Sequence, residues 1–139
     1  MLLGFIKMMK APILKGTKIH TIREDKGERW YEGVKIHMCT GARTKHCDVF
    51  KSDEVCTGTQ EVFMSYDWML HISIDDRELY HPEKELLAKN DGFETYADFE
   101  AFFLAQCNKK DDNTFSGRLI HWTDFRYTET TQSCLVIEE

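Results

Sequence analysis

The sequence predicts an α+β protein, mostly β: a small, largely antiparallel barrel of about five or six strands with two or three flanking helices. Three observations carry that expectation. Segments such as Val34–Cys39, Gly58–Ser65 and Met69–Ile74 alternate apolar and polar residues with the period of a half-buried strand. Helical spacing takes over between His81 and Cys107, and strand patterning returns at Gly117–Phe125. Strands and helices do not alternate regularly, as a parallel α/β sheet would require.

Met1–Ile6 reads as a short buried strand, and Lys7–Leu14 as one or two helical turns with Pro12 tolerated in the first. Gly16 suits a left-handed helix end. The stretch Gly16–Arg23 (GTKIHTIR) then places an ammonium, an imidazole, a hydroxyl and a guanidinium within six residues. On a regular strand Lys18 and His20 face one way and Thr21 and Arg23 alternate with them. Lys18 and Thr21 therefore meet one ligand only if the chain bends near His20 or the strand starts after Lys18. Glu24–Gly33 is a polar loop whose Trp30 and Tyr31 are either packing anchors or a stacking surface.

Further on, Val34, Ile36 and Met38 share a strand face, Gly41–Thr44 makes a turn carrying Arg43, and Cys47–Phe50 continues as strand. Asp75-Asp76 is turn chemistry. Pro82 starts a helix that Asn90-Asp91-Gly92 stops. Thr95 to Asp98 resembles a capping box, and Tyr96, Phe99, Phe102, Phe103 and Gln106 are expected on one core face of the next helix. One domain is expected over residues 1–127. Residues 128–139 form a tail, read as an added edge strand or a loose end.

With 139 residues and 42% apolar content the chain can bury a core of its own. No apolar run reaches the roughly 18 residues of a spanning helix, and Lys7 and Lys10 follow rather than precede the apolar start. A cytoplasmic protein is expected. Five scattered cysteines without a Cys-x-x-Cys pair suit reduced thiols, not a disulfide framework. His20, His37, His46, Cys39 and Cys47 are soft ligands in one third of the chain, but they lack structural-zinc spacing; no metal and no cofactor are expected.

The formal charge of −6 divides unevenly: residues 1–46 carry ten Lys/Arg against four Asp/Glu, while the remainder carries eight against twenty. A basic N-terminal third suits an anionic or nucleic-acid ligand. The acidic remainder argues against loose binding along a duplex, which needs many phosphates neutralised.

Gly16-x-Lys18-x-x-Thr21-Ile22-Arg23, the Gly41-x-Arg43-Thr44 turn, Asn90-Asp91-Gly92-Phe93 before an aromatic helix, and Leu119-Ile120-His121-Trp122 lie in order over about residues 1–127. Together they resemble the ASCH-domain family of the PUA-like superfamily. The resemblance implies a pseudo-barrel with flanking helices that binds RNA or nucleotides. The family also includes a small bacterial hydrolase of acetylcytidine, whose working Lys and Thr match Lys18 and Thr21. Its Glu aligns best with Asp91, a carboxylate that is one methylene shorter.

For a binding role, Lys18, Arg23 and Arg43 would hold phosphate or a base edge, with His20 in the same basic stretch. Asp91 would accept from an exocyclic amine, and Trp30, Tyr31 or Trp122 would stack. For a hydrolytic role, Thr21 would attack an acylated cytidine, Lys18 would act as base and Asp91 would orient it, with Arg23 or a backbone N–H steadying the oxyanion. The same charges also suit a purely structural or protein-interaction module, in which Lys18 and Arg23 pair with Glu24, Asp25 or Asp91. The expected partners are RNA or a small nucleoside or nucleotide, with no membrane.

Overall fold

The computed structural model describes residues 1–109 and 112–129. Most of the C-terminal tail, residues 130–139, lies outside the described residues, and the edge-strand expectation falls there. Among the described residues no helix is long and apolar enough to cross a membrane.

The chain is α+β and mostly sheet. In order it forms β1 (Leu2–Phe5), a short 3₁₀ turn (Lys7–Met9), α1 (Lys10–Lys15), β2 (His20–Arg23), β3 (Lys35–Thr40), β4 (Asp48–Val55), β5 (Gly58–Tyr66), β6 (Leu70–Ile74), β7 (Arg77–Glu78), α2 (His81–Asn90), α3 (Tyr96–Cys107) and β8 (Thr114–His121). The eight strands among the described residues pair as two sheets, β1-β3-β4 and β2-β8-β5-β6-β7. Every pairing is antiparallel except β1 with β3, which run parallel with Gly4 opposite Cys39.

The count exceeds the expected five or six strands. β7 is only two residues long, set off by Asp75 and Asp76, which both adopt positive φ (50° and 65°) in a tight hairpin turn. The last strand also ends at His121, four residues earlier than expected, because Trp122 to Phe125 leave the ladder.

Neighbouring residues of β8 divide the core. Leu119 joins a cluster with Phe99, Phe103, Leu87 and Ile72 between the five-stranded sheet and helices α2 and α3. Ile120, pointing the other way, joins Leu3, Phe5, Ile13, Trp30, Ile36 and Met38 beneath the three-stranded sheet. Phe93, just after α2, packs against both clusters.

The α3 face differs from the sequence expectation. Phe99, Phe103 and Cys107 are buried at one-turn spacing, and Thr95 Oγ1 caps the helix by accepting from Asp98 N at 3.1 Å. Phe102 is 41% exposed and turns toward a cavity instead. The buried stripe is centred on Phe103, and Phe102, the preceding residue, is turned about 100° away from that centre.

Candidate functional site

Helix α1 ends at Gly16, whose φ of 84° is the left-handed stop a glycine allows. Thr17 N and Lys18 N then both donate to Pro12 O, and Ile19 N donates to Asn90 O at 2.9 Å. Strand β2 begins only at His20. Lys18 thus sits on the turn before the strand, so strand alternation does not constrain it. Thr21 is opposite Ile120 in the β2–β8 ladder, and Arg23 is opposite Arg118.

The other half of the site comes from the end of α2. Asp91 N donates to Leu87 O, and Gly92 at φ 94° ends the helix. A Cβ on Gly92 would lie 3.1 and 3.2 Å from Lys18 Cδ and Cβ, so the glycine leaves room for the lysine stem.

Lys18 and Asp91 then meet in a nearly dry pair. Lys18 Nζ donates to Asp91 Oδ1 at 3.1 Å and to the Asp91 carbonyl at 2.6 Å. It also lies 5.7 Å from the Phe5 ring centroid. Asp91 Oδ1 receives a second contact, from His20 Nδ1 at 3.2 Å, while among the described residues Oδ2 makes no hydrogen bond. His20 Nε2 is 2.6 Å from Tyr127 Oη, which also accepts from Asn90 Nδ2 at 3.1 Å. The Asp91 carboxylate only accepts, so His20 carries its proton on Nδ1 and the Tyr127 hydroxyl gives its own proton to Nε2. Nδ1–H therefore faces Asp91.

The outer parts of this network are tied to the sheet. Gln60 Oε1 accepts from Tyr127 N, and Gln60 Nε2 donates to Tyr127 O, both at 3.0 Å. His121 Nε2 is 3.0 Å from Gln60 Oε1, and its ring meets the His20 ring edge-on at 5.4 Å between centroids.

Burial dominates the electrostatics. It pulls the Lys18 ammonium below its ordinary pKa, with Asp91 opposing the shift and Arg23 adding to it. Burial also lowers His20 and Arg23, and lowers His121 to about 3, with the neighbouring His20 and Arg126 contributing. It raises the Tyr127 phenol, which stays protonated.

Lys18, Thr21, Arg23 and Asp91 line one cavity of about 350 Å³, walled by Phe5, Ile6, Met9, Phe93 and Phe102. Arg23 is fixed across it. Its Nη2 donates to Gly4 O at 2.6 Å, its Nε donates to Thr21 Oγ1 at 3.2 Å, and its guanidinium lies 5.0 Å from the Phe5 centroid.

The remaining expected residues lie elsewhere. His20 is fully buried behind the cavity wall, with both ring nitrogens engaged. Trp30 is a packing anchor in the core, as is Trp122, which meets Phe5 edge-on. Arg43 lines a neighbouring groove with Trp30 and Arg23. No group of three or more metal-ligating side chains occurs among the described residues.

Sequence reasoning missed Tyr127, Asn90, Gln60 and the aromatic wall of Phe93 and Phe102. His121 carried the one available signal, a histidine inside an apolar strand. Comparison with known proteins returns nothing: no family model, no curated protein and no solved structure matches this chain.

Proposed function

We propose that this chain is a PUA-like module that binds a nucleoside or an RNA base, modified or not, with the Lys18–Asp91 cavity as the base site. One observation carries the reading: a single donor and a single acceptor stand side by side on an aromatic-walled pocket. Lys18 Nζ commits two of its three protons to Asp91 and keeps one. Asp91 keeps Oδ2 for an incoming N–H. That pair complements an amide-like or amidine-like edge, such as ring N3 and the exocyclic amine of cytosine. Phe5, Phe93 and Phe102 offer faces or edges to a flat ring, and about 350 Å³ suits a ligand at the small end of the usual range.

Calorimetric titration with cytidine, acetylcytidine, uridine, adenosine and short RNAs tests this. Saturable binding that falls at least tenfold in Lys18→Met supports it. No binding by any of them, or affinity indifferent to Lys18→Met and Arg23→Ala, overturns it and leaves the interaction-module reading.

Hydrolysis of an acylated cytidine is the second reading, favoured by Thr21 lining the same cavity as a lysine of lowered pKa. The ground-state contacts favour binding. Thr21 Oγ1 accepts from Arg23, and Lys18 is held by Asp91, so the hydroxyl is not paired with a base. Ultraviolet detection of cytidine released from acetylcytidine, lost in Thr21→Ala, would instead establish the enzyme.

A further inference from the structure

Beside the base pocket runs a second groove, of about 600 Å³, lined by Arg23, Arg29 and Arg43. It shares Gly4, Phe5, Ile6 and Arg23 with the pocket, so the two are neighbours across β1. The backbone brings the three arginines to one groove by separate routes. At Gly4 a Cβ would lie 2.7 Å from Ala42 Cβ, so the bare glycine lets the β3–β4 loop close onto β1. That loop holds Arg43 at φ 64°, a conformation uncommon outside glycine. Arg29 follows a turn built on Asp25, whose carboxylate accepts from Arg29 N and Trp30 N at 2.9 and 3.0 Å.

What Arg29 and Arg43 lack, among the described residues, is an anion. Arg118 pairs with Glu28 and Glu61, and Arg77 with Glu83. Among the described residues, neither Arg29 nor Arg43 pairs with a carboxylate. The Arg29 side chain reaches only Met1 Sδ, a weak acceptor. Glu24, which lines the base pocket, pairs with Lys26 at 3.6 Å. Arg23 is anchored to Gly4 O and Thr21 and stands where pocket and groove join.

We propose that this groove takes a phosphate of the ligand whose base occupies the adjoining pocket, so that the protein selects a nucleotide over a free nucleoside. The proposal rests on the base-pocket reading and adds a phosphate site to it. Planar guanidinium forks match phosphate oxygens two at a time, which a lone ammonium does not. The phosphate is either a terminal monoester or the internal diester of a strand.

The test uses the full chain and calorimetry with cytidine, its 5′- and 3′-monophosphates, the dinucleotide CpC and inorganic phosphate. At least one phosphorylated ligand is expected to bind tenfold or more tightly than cytidine. Arg43→Ala and Arg29→Ala should each remove most of that gain and leave cytidine affinity unchanged. Raising the salt should weaken the phosphorylated ligand alone. A gain with a monophosphate identifies a terminal group, and a gain confined to CpC identifies a diester. Cytidine binding as tightly as all the phosphorylated forms would overturn the proposal and leave the base pocket standing. So would inorganic phosphate competing as well as the nucleotides, the mark of an adventitious ion only. Absence of binding by every nucleoside and nucleotide would remove the base pocket and this site with it.

Discussion

His20 Nδ1 lies 3.2 Å from Asp91 Oδ1, the same oxygen that Lys18 Nζ holds at 3.1 Å. Two donors on one oxygen fix the carboxylate from behind and leave its second oxygen to the cavity. His20 therefore positions Asp91 without touching a ligand. His20→Phe keeps the ring volume but takes from Asp91 Oδ1 one of its two donors, leaving Lys18, and takes from the Tyr127 hydroxyl its acceptor, leaving only the Asn90 amide beside it. Each lost buried partner costs about 1–3 kcal/mol. The expected result is a chain that folds with about 2–4 kcal/mol less stability, read as a lower urea midpoint. Nucleoside affinity should also weaken, because Asp91 gains freedom to rotate.

The same burial makes stability pH-dependent in a defined direction. His20 and His121 are held neutral, with pKa values below their ordinary range, so the unfolded chain binds the extra protons. Stability is then full above the unfolded histidine value of about 6.5 and falls as the pH drops toward the folded value, about 3 for His121. Between pH 7 and pH 5 the loss from His121 comes to about 2 kcal/mol, and His20 adds in the same direction. Urea midpoints at the two pH values check this. In His121→Gln the difference should shrink, and an unchanged difference would refute the assignment.

Breaking and replacing the ion pair should give opposite results. Lys18→Met leaves the Asp91 carboxylate buried with only His20 beside it, and removal of one partner from a buried pair typically costs about 3–5 kcal/mol. Lys18→Met combined with Asp91→Asn removes both charges and should recover much of that loss, since neutral replacements of buried pairs are often close to harmless. Denaturation of the two single variants and the double variant gives the coupling. Ligand binding should stay lost in the double variant, which separates the site's function from its contribution to the fold.

Much of the fold was legible because strand and helix periods are local properties of the chain. The alternation at Val34–Cys39 and Met69–Ile74, Pro82 at the start of α2 and the Thr95 cap each depend on neighbours a few residues away. The condition on Lys18 could also be stated beforehand, because it follows from strand geometry alone, and β2 starting at His20 decides it. Tyr127 could not be found that way. It sits past the last strand in a segment without periodicity, and distant groups, the Gln60 amide 67 residues away and the Asn90 amide 37 residues away, bring it under His20. The choice between anchor and stacking surface for Trp30, and the turn of Phe102 away from the core, were hidden for a similar reason. Which aromatic is core and which faces a cavity depends on how two sheets and a helix close together, and no local window contains that information.

Gly4 is a point of close approach between β1 and the β3–β4 loop, and its replacement should act on the groove rather than on β1 alone. It pairs with Cys39 in the parallel ladder, its carbonyl accepts from Arg23 Nη2 at 2.6 Å, and the loop at Ala42 rests against it. A methyl group there would meet Ala42 Cβ at 2.7 Å, well inside contact distance, so either the strand or the loop must shift. Overpacking of this kind typically costs about 1–3 kcal/mol. Gly4→Ala should lower stability by about that amount and displace the loop that carries Arg43. Ala42→Gly removes the atom in conflict, so the double variant should regain most of the lost stability even though each single change is unfavourable. That non-additivity, measured by urea denaturation of all four chains, distinguishes a direct clash from a general weakening of β1. A double variant no more stable than Gly4→Ala would show that the loop does not lean on Gly4.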